Sequence, residues 1–533
     1  MSPGPTFIIE KGQETVVRFV NNASEATSVH LHGSYSRAPW DGWAEDLTEP
    51  GEFKDYYYPN SQSARLMWYH DHAVDHTAEN AYFGLAGAWI IHDSVEDSLG
   101  LPSGYGQYDI PLILTSKQYK NNGQLFSPAG EDDSLFGDVI HVNGQPWPYF
   151  NVEPRKYRLR FLDASVSRTY LLYFRRESGS SSKIPFQVIA SDAGLLEEPV
   201  TADELYISMA ERYEVVFDFA PFAGQNILLR NTDDVGADDD YLHTNKVMKF
   251  VVSSTTVTDT ATVPTTLAAV HWPTSTSTAV DHSFLFHRSN GEWQINNVVF
   301  SDANNRVLAN VPRGTVEIWE LENSSGGWSH PIHVHLVDFK ILSRTGGRGT
   351  LYDYETKGLK DVVWLGPNEK VKVQAHYAPW DGVYMFHCHN LIHEDHEMMA
   401  AFNVTALLDL GYIENDFRDP MDSTWRAEAV DPSKFTTTAI TNKVQAMANL
   451  RPYSDVEDIY EALEDYWANH RKRGRHNETG VLNRNLRSCR EDRALLKTLT
   501  ELARKSQTKR GACCAKIMTL YLIKTALPTL PTT

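Results

Sequence analysis

Polar and apolar positions alternate with a period of two in several short stretches, at residues 15–20, 157–162, 213–219 and 316–321. Successive side chains on a strand leave opposite faces, so each stretch predicts a half-buried strand of an antiparallel protein. Three of the four share a frame. Each follows a turn bearing Gly or Pro (Lys11-Gly12, Pro154-Arg155, Pro312-Arg313-Gly314) and ends on Asn21, Asp163 or Asn323. This is a threefold repeat.

The second copy is led in by Val142-Asn143-Gly144 and the third by Ile295-Asn296-Asn297, whereas the first has no such lead-in. The expected fold class is therefore all-β. It comprises three Greek-key β-sandwich domains, near residues 1–98, 104–256 and 280–412, with the first domain lacking its opening strands. Helical periodicity begins only after residue 438, with Val444, Met447 and Leu450 on one face, so a C-terminal segment is placed at 413–470. Residues 471–533 read as a basic, disordered tail in which 482–502 has an amphipathic helical pattern.

Charge separates body from tail. The 533 residues carry a formal −20, but 471–533 hold 15 Lys and Arg against 4 Asp and Glu, a net of +11 that leaves −31 for residues 1–470. A body so acidic argues against a general nucleic-acid or anionic-membrane binder. No apolar run approaches the ~20 residues of a membrane helix. The chain starts without the basic and apolar stretches of a secretory signal, while sequons at Asn22, Asn323, Asn403 and Asn477 are compatible with secretion. The four cysteines are Cys388, Cys489, Cys513 and Cys514, so Cys388 has no thiol partner in the first 487 residues. That is no disulfide framework.

Histidine carries the candidate chemistry. Four His-x-His pairs occur, at His30/His32, His70/His72, His333/His335 and His387/His389, with outriders at His330 and His393. On a strand, residues i and i+2 share a face, so each pair is a two-pronged metal ligand. Cys388, between His387 and His389, leaves by the opposite face toward a second site. His330 faces away from His333 and His335 by the same parity and can accompany Cys388, and His393 and Met398 follow at closing-loop distances. Two His, one Cys and an axial Met form the blue-copper arrangement. Zinc would leave the remaining imidazoles unexplained, and a facial-triad iron site takes no thiolate, so copper fits best. Trp68-Tyr69-His70-Asp71-His72 with His76 mirrors Met385-Phe386-His387-Cys388-His389 with His393. Asp71 replaces the cysteine, which makes His76 a surface relic. The corresponding stretch of the second domain, 212–230, has no His, which marks that domain as a copper-free spacer between the ligand-bearing ones.

These segments, with 28–34, 327–335 and 386–399, resemble the multicopper oxidases, three-domain cupredoxin proteins, and within them the branch that oxidises bilirubin-like tetrapyrroles and phenols. The resemblance runs from residue 1 to about residue 457. It implies four copper ions: a type 1 ion on His330, Cys388, His393 and Met398, and a type 2 ion on His30 and His333. A type 3 pair would lie on His32, His70, His72, His335, His387 and His389. It also implies that Asp41 and Glu394 supply protons near the cluster. A thioether axial ligand lowers the copper potential relative to the Leu or Phe of many laccases and suits easily oxidised donors. Trp328, two residues before His330, is expected at the substrate edge of the type 1 site.

The resulting expectation is a secreted, monomeric oxidase that takes single electrons from a small-molecule donor and reduces dioxygen to water, with no nucleic-acid or membrane partner. A dianionic tetrapyrrole would need a locally neutral or basic pocket on so acidic a body. The alternatives are a general laccase-like phenol or metal-ion oxidase, and a non-catalytic blue-copper protein in which the shortened first domain cannot hold the cluster.

Overall fold

The computed structural model describes residues 2–232, 242–275, 277–408, 410, 417–477 and 518–522. Six sheets pair into three sandwiches. The four alternating stretches are strands Thr15–Val20, Lys156–Asp163, Arg212–Asp218 and Val316–Asn323. They are more buried than their alternation predicts. Arg158 and Arg160 occupy polar positions, yet they are buried in an ion cluster with Glu96, Asp109 and Glu214: Arg158 Nε lies 2.6 Å from Glu214, and Arg160 Nε 2.7 Å from Asp109. A buried charge needs such full pairing, so the polar face is neutralised instead of hydrated.

In the first sandwich, one sheet runs in the order Phe7–Glu10, Ala86–His92, Arg65–Asp71, Val29–His32. The last two strands pair antiparallel with His30 opposite His70 and His32 opposite Trp68. In the third sandwich, His330–Val334 pairs antiparallel with Gly382–Cys388, with His333 opposite His387 and Ile332 opposite Cys388. Facing residues on paired strands stand about 5 Å apart, so this register brings two forks together within each domain.

The second sheet of the first domain is completed by C-terminal chain. Its order is Glu428–Ala429, Glu52–Tyr58, Thr15–Val20, Met518–Leu522, the last pair parallel. Part of the expected tail is thus a strand, and helix Val456–Asn477 runs past the expected boundary at residue 470. Residues 482–502, Cys489, Cys513 and Cys514 lie outside the described residues. The helical segment straps two domains together. Tyr453 Oη donates to Tyr57 O in the first domain at 2.6 Å, and Trp467 Nε1 donates to Arg313 O in the third at 2.9 Å. Ile459 and Leu463 are buried in the apolar core that these two domains share. Among the described residues, no helix is long and apolar enough to cross a membrane.

Candidate metal centres

A mononuclear group forms at the end of the third sandwich. His330, Cys388 and His393 present ligand atoms within 4.8 Å of one another, all buried. His330 Nδ1 lies 3.3 Å from Cys388 Sγ and 3.1 Å from His393 Nδ1, and Cys388 Sγ lies 3.7 Å from His393 Nδ1. Strand parity delivers His330 and Cys388. His393 comes from the short helix Leu391–Asp395, capped by the Asn390 side chain accepting from Ile392 N. Met398 is fully buried, and its carbonyl accepts from Cys388 N at 3.1 Å, which closes the loop around the thiol.

Ser325 orients His330. Its hydroxyl donates to Asn323 Oδ1 at 2.6 Å, so its oxygen is left to accept from His330 Nε2–H at 2.5 Å. The Nδ1 lone pair of His330 then points at the thiol. Asn323 in turn donates to Trp328 O, Leu365 O and Gly366 O. That buried amide is occupied by structure, so the sequon at Asn323 does not present its nitrogen to solvent. Burial pushes the Cys388 thiol well above its ordinary range and lowers His330 to about 3, so the imidazole is neutral. A cation is what would stabilise the thiolate there.

A second group of eight imidazoles fills the interface between the first and third domains. His30 Nε2 and His333 Nε2 face each other at 3.4 Å. Their Nδ1 atoms stand 2.5 Å from Asp41 O and 2.8 Å from Asp361 O, which fixes both rings with Nε2 free of its proton. His387 Nε2 lies 3.2 Å from both His72 Nε2 and His335 Nε2. His30, His32 and His70 form a further group, and His389 lies 5.1 Å from His70 and 5.2 Å from His32 between ring centroids. Burial lowers His30, His32, His72, His333, His335 and His389 well below the ordinary histidine range and takes His70 to about 3. These seven rings are neutral, with lone pairs available to a cation. His32 Nδ1, His70 Nε2 and both nitrogens of His389 are buried without a hydrogen-bond partner. Orphaned lone pairs of this kind, converging in one place, are what bound cations satisfy, so the residues fit copper.

The two carboxylates expected from the sequence, Asp41 and Glu394, attend this group. Asp41 Oδ2 accepts from His335 Nδ1 at 2.8 Å, and burial raises its carboxyl well above the ordinary range. Gly42 permits that approach: at φ +85°, a Cβ there would meet Val29 O at 2.5 Å and His30 N at 2.7 Å. Glu394 lies 3.0 Å from His387 Nδ1 and 3.4 Å from His72 Nδ1, fully enclosed. Because Glu394 directly follows His393 on a helix, the two side chains diverge, one toward each metal group. A narrow cleft lined by His30, His333, Tyr35, Asp338 and Asp361 among others reaches this cluster.

The structure thus brings the ten expected histidines and Cys388 to one of two places, and buries Met398 in the loop that closes the first. Trp328 is partly exposed, its ring 5.7 Å from His393 and perpendicular to it. His76 is partly exposed at the start of helix Thr77–Tyr82 and outside both groups. Sequence reasoning missed Trp293, Ser325, Asn390 and Asp361, which reach the candidate ligands from strands and loops with no motif of their own, and Arg212, which reaches them through Asp361.

Comparisons with known proteins agree with this geometry. Two multicopper oxidase family models match, at residues 1–96 and 273–407. The chain is 59% identical over 472 residues to the bilirubin oxidase of Albifimbria verrucaria, covering 86% of this chain and 82% of that protein. It is 31% identical to a laccase of Bacillus subtilis, covering 76% and 88% respectively. Among solved structures, the multicopper oxidase McoA of Aquifex aeolicus matches with a TM-score of 0.69 and 31% identity, over 75% of this chain and 89% of that one.

Proposed function

The chain belongs to the multicopper oxidase family, as a copper-dependent oxidase of three cupredoxin-like domains with four coppers, and we propose that its donors are bilirubin-like tetrapyrroles or phenols. His330, Cys388, His393 and Met398 would hold the type 1 ion, and His30 with His333 the type 2 ion. The type 3 pair falls to His32, His70, His72, His335, His387 and His389. When bound, these ions accept electrons singly from the donor and deliver four of them to dioxygen, giving two waters.

One observation carries the reading. Cys388 belongs to the mononuclear group, while its covalent neighbours His387 and His389 both face the other group. A through-bond path of chain atoms therefore joins the two, shortened where His387 Nδ1 lies 3.0 Å from Cys388 O. Trp328, partly exposed at the mononuclear edge, offers an aromatic face against which a planar donor packs. At the other end, Asp41 and Glu394 stand beside His335, His387 and His72 as the groups that would pass protons to the site, each with buried oxygens that have no hydrogen-bond partner. The enclosed imidazole cage excludes bulk water. A narrow cleft beside Tyr35 and Asp338 leads to His30 and His333. A secreted monomer without membrane or nucleic-acid partners suits the net charge of −20 and the body's −31.

The test is the absorption spectrum and copper content of the loaded chain. About four coppers, a thiolate band near ~600 nm and a shoulder near ~330 nm are expected. One copper with the ~600 nm band alone would reduce the chain to a non-catalytic blue-copper protein. Oxygen uptake then ranks the donors: bilirubin no faster than a simple phenol would replace the tetrapyrrole assignment with a general laccase-like one.

A further inference from the structure

Arg212 opens strand Arg212–Asp218 of the middle domain, which contributes no histidine to either metal group. Its guanidinium nevertheless lies at the imidazole cage, wholly buried. Nη1 and Nη2 donate to the two oxygens of Asp361 at 2.6 and 2.5 Å, a bidentate fork across to the third domain. Nε donates to Leu66 O in the first domain at 3.1 Å. The backbone N of Arg212 donates to Asp192 Oδ1 at 2.7 Å, and Asp192 Oδ2 also lies 2.9 Å from Lys360 Nζ. One side chain therefore joins all three domains.

Asp361 carries this fixation to the ligands. Its Oδ1 lies 3.1 Å from His32 Nε2, and its backbone carbonyl accepts from His333 Nδ1 at 2.8 Å. A carboxylate held in an arginine fork only accepts hydrogen bonds. His32 therefore carries its proton on Nε2, which leaves Nδ1, buried and without a partner, as its ligating nitrogen. Its strand neighbour His30 is turned the other way, with Nδ1 held by Asp41 O. The fork also explains residue 33. A Cβ on Gly33, at φ +90°, would stand 2.9 Å from Arg212 Nη2 and 3.0 Å from Asp361 Oδ2. The Arg212–Asp361 pair occupies the space that any other side chain would need.

We infer that Arg212 is a positioning residue of the trinuclear site: by forking Asp361 it fixes the tautomer and ring orientation of His32, and it locks the middle domain to both ligand-bearing domains. The inference rests on the copper assignment above. Lysine cannot replace it, because a single ammonium does not hold both carboxylate oxygens and reach Leu66 O.

The parent chain is loaded with copper first. A parent lacking the ~330 nm shoulder overturns the copper assignment itself, a failure distinct from any failure of Arg212. Given a four-copper parent, Arg212→Lys and Asp361→Asn are compared with it as full chains by absorption, type 2 electron paramagnetic resonance and chelator titration. Expected is a retained ~600 nm band with trinuclear copper lost to chelator about 10–100-fold more readily, the ~330 nm shoulder and the type 2 signal fading first. Variants that keep the parent's band ratio and chelator sensitivity overturn the inference. Loss of both bands in both variants marks a purely architectural role and equally overturns it. If only Arg212→Lys misfolds, the isosteric Asp361→Asn decides by the same readout.

Discussion

Trp293 lies face to face with His393, ring centroids 3.8 Å apart and planes within 30°. The indole is fully buried and pinned by Nε1 donating to Asp132 O at 2.9 Å, so it forms one wall against which the imidazole rests. Stacked rings of this kind contribute about 0.5–1.5 kcal/mol beyond burial. Replacing Trp293 with Leu removes the wall and frees the His393 ring. The expected result is a weakened and shifted ~600 nm band, with the ~330 nm shoulder unchanged, and recovery in Trp293→Phe. Identical spectra for parent and Trp293→Leu would show that the ring is held by its other partners, among them Asn390, whose amide lies 3.2 Å from His393 Nε2.

Glu394 gives a kinetic prediction. It sits against His387 and His72, away from the mononuclear group, so Glu394→Gln leaves the donor side intact while removing a proton carrier from the dioxygen side. A positioned proton donor is worth about 10²–10⁴-fold. Oxygen uptake should fall by about 100-fold, whereas anaerobic bleaching of the ~600 nm band by donor keeps its parental rate. Slowing of both would place Glu394 in the architecture instead.

What could be read from the sequence follows from local geometry. The forks and Cys388 are legible because strand parity makes spacing of two meaningful, and the repeat is legible because three strands share one frame. Trp293 acts on His393, Arg212 on Asp361 149 positions away and Asp361 on His32 329 positions away in sequence, and no local period encodes such a pairing. The polar faces misled for a related reason. Arg158 and Arg160 look solvent-facing in sequence, and only the folded domain supplies Glu96, Asp109 and Glu214 around them.

Glu317, which belongs to neither metal group, predicts a pH dependence of stability. Burial pushes its carboxyl up to about 7, opposed by the Trp319 Nε1 donor at 3.0 Å and aided by Asp281, with His282 Nε2 3.4 Å away. The folded state therefore holds a proton between pH about 4.5 and 7 that the unfolded chain has released. The stabilisation is full below the unfolded value and is lost as pH rises through 7. The change is at most about 3 kcal/mol. Denaturation midpoints of the parent should fall from pH 5 to 7.5, and Glu317→Gln should flatten that slope. An equal slope in the variant would assign the effect to other groups.

Cys388→Ser separates the two metal groups most directly. Cys388 is the one free cysteine among the described residues, it is fully buried, and it forms no disulfide, so exchanging sulfur for oxygen removes no cross-link and little volume. The other ligands stay where their own strands put them: His387 and His389 keep their register opposite His333 and Pro331, the latter through His389 N donating to Pro331 O at 2.6 Å. A hydroxyl does not supply the soft thiolate that a blue-copper site needs. Copper content should drop from about four to about three, the ~600 nm band should vanish, and the ~330 nm shoulder should persist, with donor oxidation abolished. If both bands disappear together, the imidazole cage depends on an occupied mononuclear site for its assembly, and the two groups are one cooperative unit in folding as well as in electron flow.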